Sequence, residues 1–221
     1  VPKYIAVNDT VASKDYAAAD FVATTGVKER RIGDFTTSDL CYEAAERLLS
    51  DLQWRKEEVG ALIFVSQTAD YILPATACIL QDRLGLSKEC YALDVALGCS
   101  GWVYGLSVIA GLLSKEGITK ALLLAGDAKK RAQGASDPLF GHAGTVTAVE
   151  YSEGAAGFKF HVGTDGSGFD AIITPDGGSR NQFTEDSLKL IQDSDGVTRH
   201  RLQTVMKGMD VFAFGITTVP K

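Results

Sequence analysis

Apolar residues along this chain fall into runs of two kinds, and their alternation predicts the architecture. Leu40, Ala44, Ala45, Leu48 and Leu49 recur three and four residues apart, the spacing of one helix face, with Ser38 ahead of them as a cap for a helix through about Leu52. Ala61–Val65 is a continuous apolar run of strand length, as expected for a strand buried on both faces. Pro74 suits the first turn of a second helix ending near Gly85. A strand over Tyr91–Leu97, a helix over Trp102–Leu113, the breaker Gly117 and a strand over Ala121–Ala125 follow. Strand, helix, strand, helix and strand in succession predict parallel strands joined by right-handed crossovers, a layered α/β sheet whose ligands gather at the carboxyl ends of the strands.

On either side of this block the pattern weakens. Residues 1–20 carry little periodicity, Thr24–Val27 reads as a turn, and Lys28, Glu29, Arg30 and Arg31 form a charge cluster expected to be a solvated loop. After Asp127 comes a polar loop, Lys129–Asp137, and then Gly141 and Gly144 around His142. Thr145–Tyr151, Gly157–Val162 and Phe169–Thr174 read as further, antiparallel strands. Asp176–Asp195 is a surface excursion rich in Gly, Ser, Asn and Gln. Val197–Thr218 is patterned as a helix, with Leu202, Val205, Met206, Met209, Val211 and Phe212 apolar. The chain opens at Val-Pro and stops just after this segment, so it is expected to be a truncated piece of a longer protein.

Composition narrows the function classes. With 45% hydrophobic and 23% charged residues the chain is globular in character, and its 221 residues suffice for a substantial core. A net charge of −6 argues against nucleic acid as the main partner, which would require a dense basic face. No apolar run is long enough to span a bilayer and no signal pattern opens the chain, so a cytoplasmic protein without membrane contact is expected. The four cysteines have neither zinc-knuckle nor dithiol spacing, and no metal or disulfide framework is expected.

Cys41 and Cys78 lie on helical patterns and Cys90 precedes a strand, whereas Cys99 sits in LDVALGCSG, where a strand gives way to a helix. The first N–H groups of a helix lack partners and, with the helix dipole, favour a neighbouring negative charge, so a thiol there is expected to ionise readily and act as a nucleophile. Free cysteines are also commonly plain buried hydrophobes. Gly98 and Gly101 strip side chains from around the sulfur, which suits either a close substrate or close packing.

Four collinear segments carry a resemblance to a known family: TTGVKERRI, ALDVALGCSGWVYGLS, LLLAGD followed by LFGHAGTVTAVEY, and MKGMDVFAFGI. They are similar to the β-ketoacyl-acyl carrier protein synthase III enzymes of the thiolase superfamily. The resemblance implies a thiolase-like layered α/β fold, with residues 1–175 forming most of a first half and 176–221 a connecting loop and the opening helix of an incomplete second half. It implies an acyltransferase that initiates fatty acid or related polyketide synthesis: Cys99 takes an acyl group from a thioester and condenses it with decarboxylating malonyl-acyl carrier protein. The Cys99 N–H would help hold the oxyanion, and Gly98, Ser100, Gly101 and Trp102 would surround the substrate. No cofactor is implied beyond acyl-CoA or acyl carrier protein as substrate, and a homodimer is.

Departures from the family pattern bear on the partners. His142 stands where the family has aspartate, and neither it, His161 nor His200 matches the family's catalytic histidine, which with an asparagine belongs to the second half. Asp20 and Thr24 replace a tryptophan and an arginine that meet the CoA nucleotide, and the loop reading KKRAQGASDP lacks the family's Asp-Arg pair. The donor is therefore open between CoA and carrier protein. Lys28, Arg30, Arg31, Lys129, Lys130 and Arg131 are candidate contacts for a phosphate or an acidic carrier, and equally a solvated surface. Two other classes compete with this one. A nucleophile elbow needs glycines two positions either side of the nucleophile, and neither Cys99 nor Ser100 has both. A non-catalytic thiolase-fold subunit that binds a partner or carrier is the remaining alternative.

Overall fold

A computed structural model describes residues 2–8, 18–128, 139–192 and 196–218. The predicted loop over 129–137, with Lys129, Lys130 and Arg131, lies outside the described residues. The chain divides into two compact units, Val1–Phe160 and His161–Lys221.

In the first unit β1 (Tyr4–Val7) precedes α1 (Ala18–Thr25), and β2 (Glu29–Ile32) returns antiparallel to β1. The charge cluster is thus a strand rather than a solvated loop. The strand's alternation turns Arg30 inward, where it is buried. Next come α2 (Thr37–Leu52), β3 (Ala61–Val65), α3 (Thr76–Arg83), β4 (Tyr91–Val95), α4 (Gly101–Leu112), β5 (Lys120–Asp127) and β6 (Ala143–Glu150). The sheet order is β4-β3-β5-β6, with β3 parallel to both β4 and β5 and β6 antiparallel to β5. The predicted parallel core is therefore present, with β3 at its centre.

Why β3 and β5 read as unbroken apolar runs is clear from the two faces they serve. Leu62, Phe64, Leu122 and Leu124 pack with Cys41, Ala45 and Leu49 of α2 and Ala77 and Leu80 of α3. Their neighbours Ile63, Val65, Ala121 and Leu123 pack on the other face with Leu106 and Ile109 of α4. Each such large side chain contributes roughly 1.5–3 kcal/mol relative to exposure. Helix α2 starts at a cap two residues earlier than the sequence signal. Thr36, not Ser38, accepts from Asp39 N at 3.1 Å, and the Asp39 carboxylate accepts from Thr36 N at 3.2 Å.

Beyond β6 the expected strands largely fail to form. Gly157–Val162 is irregular, with Phe158 and Phe160 stacked on each other at 5.8 Å instead of extending the sheet. The first compact unit ends at Phe160. In the second unit the strand expected over Phe169–Thr174 shrinks to β7 (Ile172–Ile173). It is followed by β8 (Ile191–Gln192) and β9 (Thr198–Arg199), which form an antiparallel pair. The helix expected over Val197–Thr218 covers only α5 (Gly208–Thr218). Ahead of it Val205–Met206 form β10, antiparallel to β7, and the His200 N–H donates to the Gln203 side chain at 3.0 Å in a turn. The β-branched residues there find a strand partner distant in sequence, which overrides the helical spacing.

Candidate active site

Parallel strands all end on one side of a sheet, and here the ends of β3, β4 and β5 converge. Asp127 closes β5. One of its oxygens accepts from Ser66 Oγ at 3.0 Å, Gln67 N at 2.9 Å and Thr68 Oγ1 at 3.0 Å, fixing the turn that leaves β3. Thr37 of α2 lies 2.6 Å from Thr68 through their hydroxyls, and Ser38 donates to the Asp70 carboxylate at 2.7 Å. Asp94 of β4 accepts from Thr76 N and Ala77 N, both at 2.7 Å. It thereby satisfies two of the unpartnered N–H groups that open α3. Five elements are tied together by carboxylates and hydroxyls around an open cavity of ≈550 Å³.

Four residues beyond β4, the chain turns sharply into α4. Gly101 N donates to Gly98 O at 2.7 Å, and Val103 N and Tyr104 N both donate to Ser100 O. Cys99 occupies the outer corner of this turn, two residues ahead of the helix. Its side chain is exposed, and among the described residues its backbone N–H has no hydrogen-bond partner. Ser100 takes the N-cap position without a side-chain capping bond.

The two glycines divide the roles that the sequence left open. A Cβ on Gly101 would lie 2.5 Å from Val65 Cγ1, and one on Gly105 would lie 2.6 Å from Leu123 Cδ1. Both therefore let α4 press against β3 and β5, and Gly101 is buried there. Gly98 makes room for the Gln67 side chain instead. Trp102 is neither core nor free: it is 42% exposed and donates from Nε1 to Thr147 Oγ1 of β6 at 3.2 Å.

Two further thiols are withdrawn from solvent. Burial pushes Cys41 up to about 12, with the charges of Asp127 and Asp70 adding to the effect, and burial pushes Cys90 up to about 11. Neither is suited to nucleophilic attack near neutral pH.

Of the basic candidates, Lys28 and Arg31 are exposed, whereas Arg30 donates from Nε to Asn8 Oδ1 at 2.9 Å inside the β1–β2 pair. Burial takes Arg30 out of any surface contact. His142 N donates to Arg31 O at 2.7 Å and its Nδ1 lies 3.0 Å from Gly33 O, so it fastens the end of β2. Gln67, Asp94, Asp127 and Thr147 were missed by sequence reasoning. A legible signal existed for the first three, since polar residues right at or after apolar runs mark the carboxyl ends of parallel strands.

This combination, a parallel sheet with an exposed cysteine between a strand end and an apolar helix, places the protein in the thiolase-like α/β class. A solved 3-oxoacyl-(acyl-carrier-protein) synthase III superposes with a TM-score of 0.91 at 36% identity, over 100% of this chain and 68% of its own. The 3-oxoacyl-(acyl-carrier protein) synthase of Burkholderia xenovorans gives 0.84 at 36% identity, over 100% and 64%. The sequence profile of 3-oxoacyl-[acyl-carrier-protein] synthase III matches residues 93–166, which include Cys99. The β-ketoacyl-[acyl-carrier-protein] synthase III of Fusobacterium nucleatum is 34% identical over 209 residues, 89% of this chain and 59% of the relative. The chain belongs to the 3-oxoacyl-acyl carrier protein synthase III family. It spans about 57–65% of the length of the curated relatives that it matches in Fusobacterium, Campylobacter and Caldanaerobacter.

Proposed function

We propose that the protein catalyses the decarboxylative condensation of an acyl thioester with malonyl-acyl carrier protein through an acyl group carried on Cys99. The observation that carries this reading is the exposed Cys99 thiol at the β4–α4 turn, with a backbone N–H that has no hydrogen-bond partner among the described residues. The Cys99 sulfur, as thiolate, attacks the thioester carbonyl. An Sγ–C bond forms, the donor's C–S bond breaks, and the donor leaves as its thiol, taking up a proton. The Cys99 N–H stands beside the oxygen that becomes negative in the tetrahedral intermediate, the place where an oxyanion donor acts. In the second step malonyl loses carbon dioxide, its carbanion attacks the acyl carbonyl, a C–C bond forms and the Cys99 thiolate is released. Dividing one acyl transfer in this way lowers each barrier.

Lys28 and Arg31, both exposed, are the described basic residues of this reading that are open to an acidic carrier protein. Homodimerisation belongs to the same proposal and is supported by three consecutive exposed apolar residues, Tyr71, Ile72 and Leu73, at 63%, 96% and 84% exposure.

The test is incubation of full-length protein with radiolabelled acyl thioesters, donated in parallel by CoA and by acyl carrier protein. Label should appear on Cys99 and fall by more than about 10³-fold in Cys99→Ala. Undiminished labelling of Cys99→Ala would overturn the assignment, and no labelling of wild type with either donor would favour the non-catalytic alternative.

A further inference from the structure

Beside the nucleophile stands a polar group that the reaction as proposed does not use. A Cβ built on Gly98 would lie 2.8 Å from Cδ, 2.9 Å from Oε1 and 3.0 Å from Nε2 of Gln67. Three nearly equal distances mean that the flat face of the amide rests on Gly98, because an approach in the amide plane would bring one atom much closer than the others. The edge of the amide, with one donor and one acceptor whichever way the group is turned, therefore points away from Gly98. Neither Oε1 nor Nε2 hydrogen-bonds to another described residue.

Its placement is held from below. Gln67 N donates to Asp127 at 2.9 Å, and the hydroxyls on both flanking residues, Ser66 and Thr68, donate to the same carboxylate oxygen. Gln67 is exposed and forms part of the wall of the ≈550 Å³ cavity together with Thr68, Asp70, Asp94 and Ala96. Three other polar walls are already engaged: Thr68 with Asp127, Asp70 with Ser38, Asp94 with the start of α3. Two side chains of that wall keep an unspent hydrogen-bonding group among the described residues, the Gln67 amide and the Tyr71 hydroxyl, and of these it is Gln67 that lies against Gly98, the residue before Cys99.

We propose that Gln67 is a specificity-determining residue that selects acyl groups bearing a hydroxyl on the third carbon, an inference that rests on the acyl-Cys99 reading above. Adjacent Cα atoms are about 3.8 Å apart, so an amide seated on Gly98 reaches the first few carbons of a chain attached to Cys99 and not its far end. A plain alkyl chain laid there strips water from the amide and returns no hydrogen bond. A hydroxyl returns one, as donor or acceptor. Sites with a hydrogen-bonding group discriminate strongly against the analogue that lacks its partner.

The experiment compares acylation of Cys99 in full-length protein by butyryl- and 3-hydroxybutyryl-acyl carrier protein, followed as intact-protein mass in single turnover. Wild type is expected to accept the hydroxylated group about tenfold faster. Gln67→Leu should erase or reverse that preference while Cys99 is still acylated, and Gln67→Glu, which keeps an acceptor, should retain part of it. Gln67→Ala gives the same reading as Gln67→Leu if the leucine variant does not fold. Equal rates in wild type overturn the inference, as does a preference that survives in Gln67→Leu or Gln67→Ala. Wild type that is acylated by neither group, whether offered on acyl carrier protein or on CoA, overturns the underlying acyl-Cys99 reading instead.

Discussion

The two ends of the central sheet are built from polar residues in opposite ways. At the amino-terminal end charges meet charges: Lys120 of β5 reaches Glu58 at 2.9 Å, Arg55 reaches the same carboxylate at 2.9 Å, and the Lys120 ammonium sits 4.9 Å above the Trp54 ring. Every partner of that cluster lies within the chain. At the carboxyl-terminal end Asp127, Asp94 and Asp70 are met by hydroxyls and backbone N–H groups, and no cation is bonded to any of them among the described residues. These bonds position turns rather than close a surface, and they leave open a cavity, the Gln67 amide and the Cys99 thiol. Polar groups that neutralise one another stabilise; polar groups that hold a loop in place leave room for a ligand.

The contrast can be broken most decisively at the thiols of the carboxyl end. Cys41 is buried close enough to Asp127 and Asp70 to feel their charges, and Cys99 is exposed, one residue beyond the Gly98 that meets Gln67. With a pKa of about 12, Cys41 at pH 8 has a thiolate fraction of roughly 10⁻⁴, and burial also bars the reagent. Iodoacetamide should therefore modify Cys99 at least about 100-fold faster than Cys41, read by peptide mass spectrometry. Comparable rates would mean that the two thiols are not segregated as described.

A smaller effect is expected from the carboxylate that organises that end. Asp127→Ala leaves two hydroxyls and the Gln67 N–H without their shared acceptor, and should lower stability by about 2–3 kcal/mol in urea unfolding. It should also slow acylation of Cys99, since the turn that seats Gln67 against Gly98 loses its anchor. An unchanged acylation rate in a destabilised protein would show that the cluster serves the fold alone.

The smallest effect belongs to the amino-terminal end. Hydrogen bonds from Lys120 and then Arg55 hold Glu58 down to about 2. Because its folded-state value lies below the ordinary carboxylate value of about 4.3, its contribution is complete above that pH and disappears as pH falls through about 2. Glu58→Gln should match wild type in acid resistance near pH 2 and fall slightly below it at pH 6, by urea midpoint. A difference that grew toward acid would reverse the sign argued here.

How far the sequence could be read depended on the distance over which each feature is decided. The block from α2 to β5 was legible because every element in it satisfies its own backbone and shows its burial as a period in the sequence. Cys99 was legible for the same reason, as the junction of two such patterns. Tyr4–Val7 and Glu29–Ile32 were not, because a strand of four residues exists only through its partner, and the partner lies more than twenty residues away. The same holds for Val205–Met206, whose helical spacing yields to pairing with Ile172–Ile173. Gly98 and Gly101 look alike in sequence and differ because one faces a side chain from the β3 turn and the other faces Val65 of β3 itself.

By itself, then, the sequence determined the parallel core, the position of Cys99 just beyond a strand end, and a family resemblance spread over four collinear segments. Local periodicity and side-chain chemistry are properties of neighbouring residues, and they survive without knowledge of the fold. Only the tertiary structure decided that Arg30 is buried, that Cys41 is shut away while Cys99 is exposed, and that Gln67, thirty-two residues before Cys99, lies against Gly98. Burial and contact are set by which surfaces meet, and that meeting is written in no single stretch of the chain.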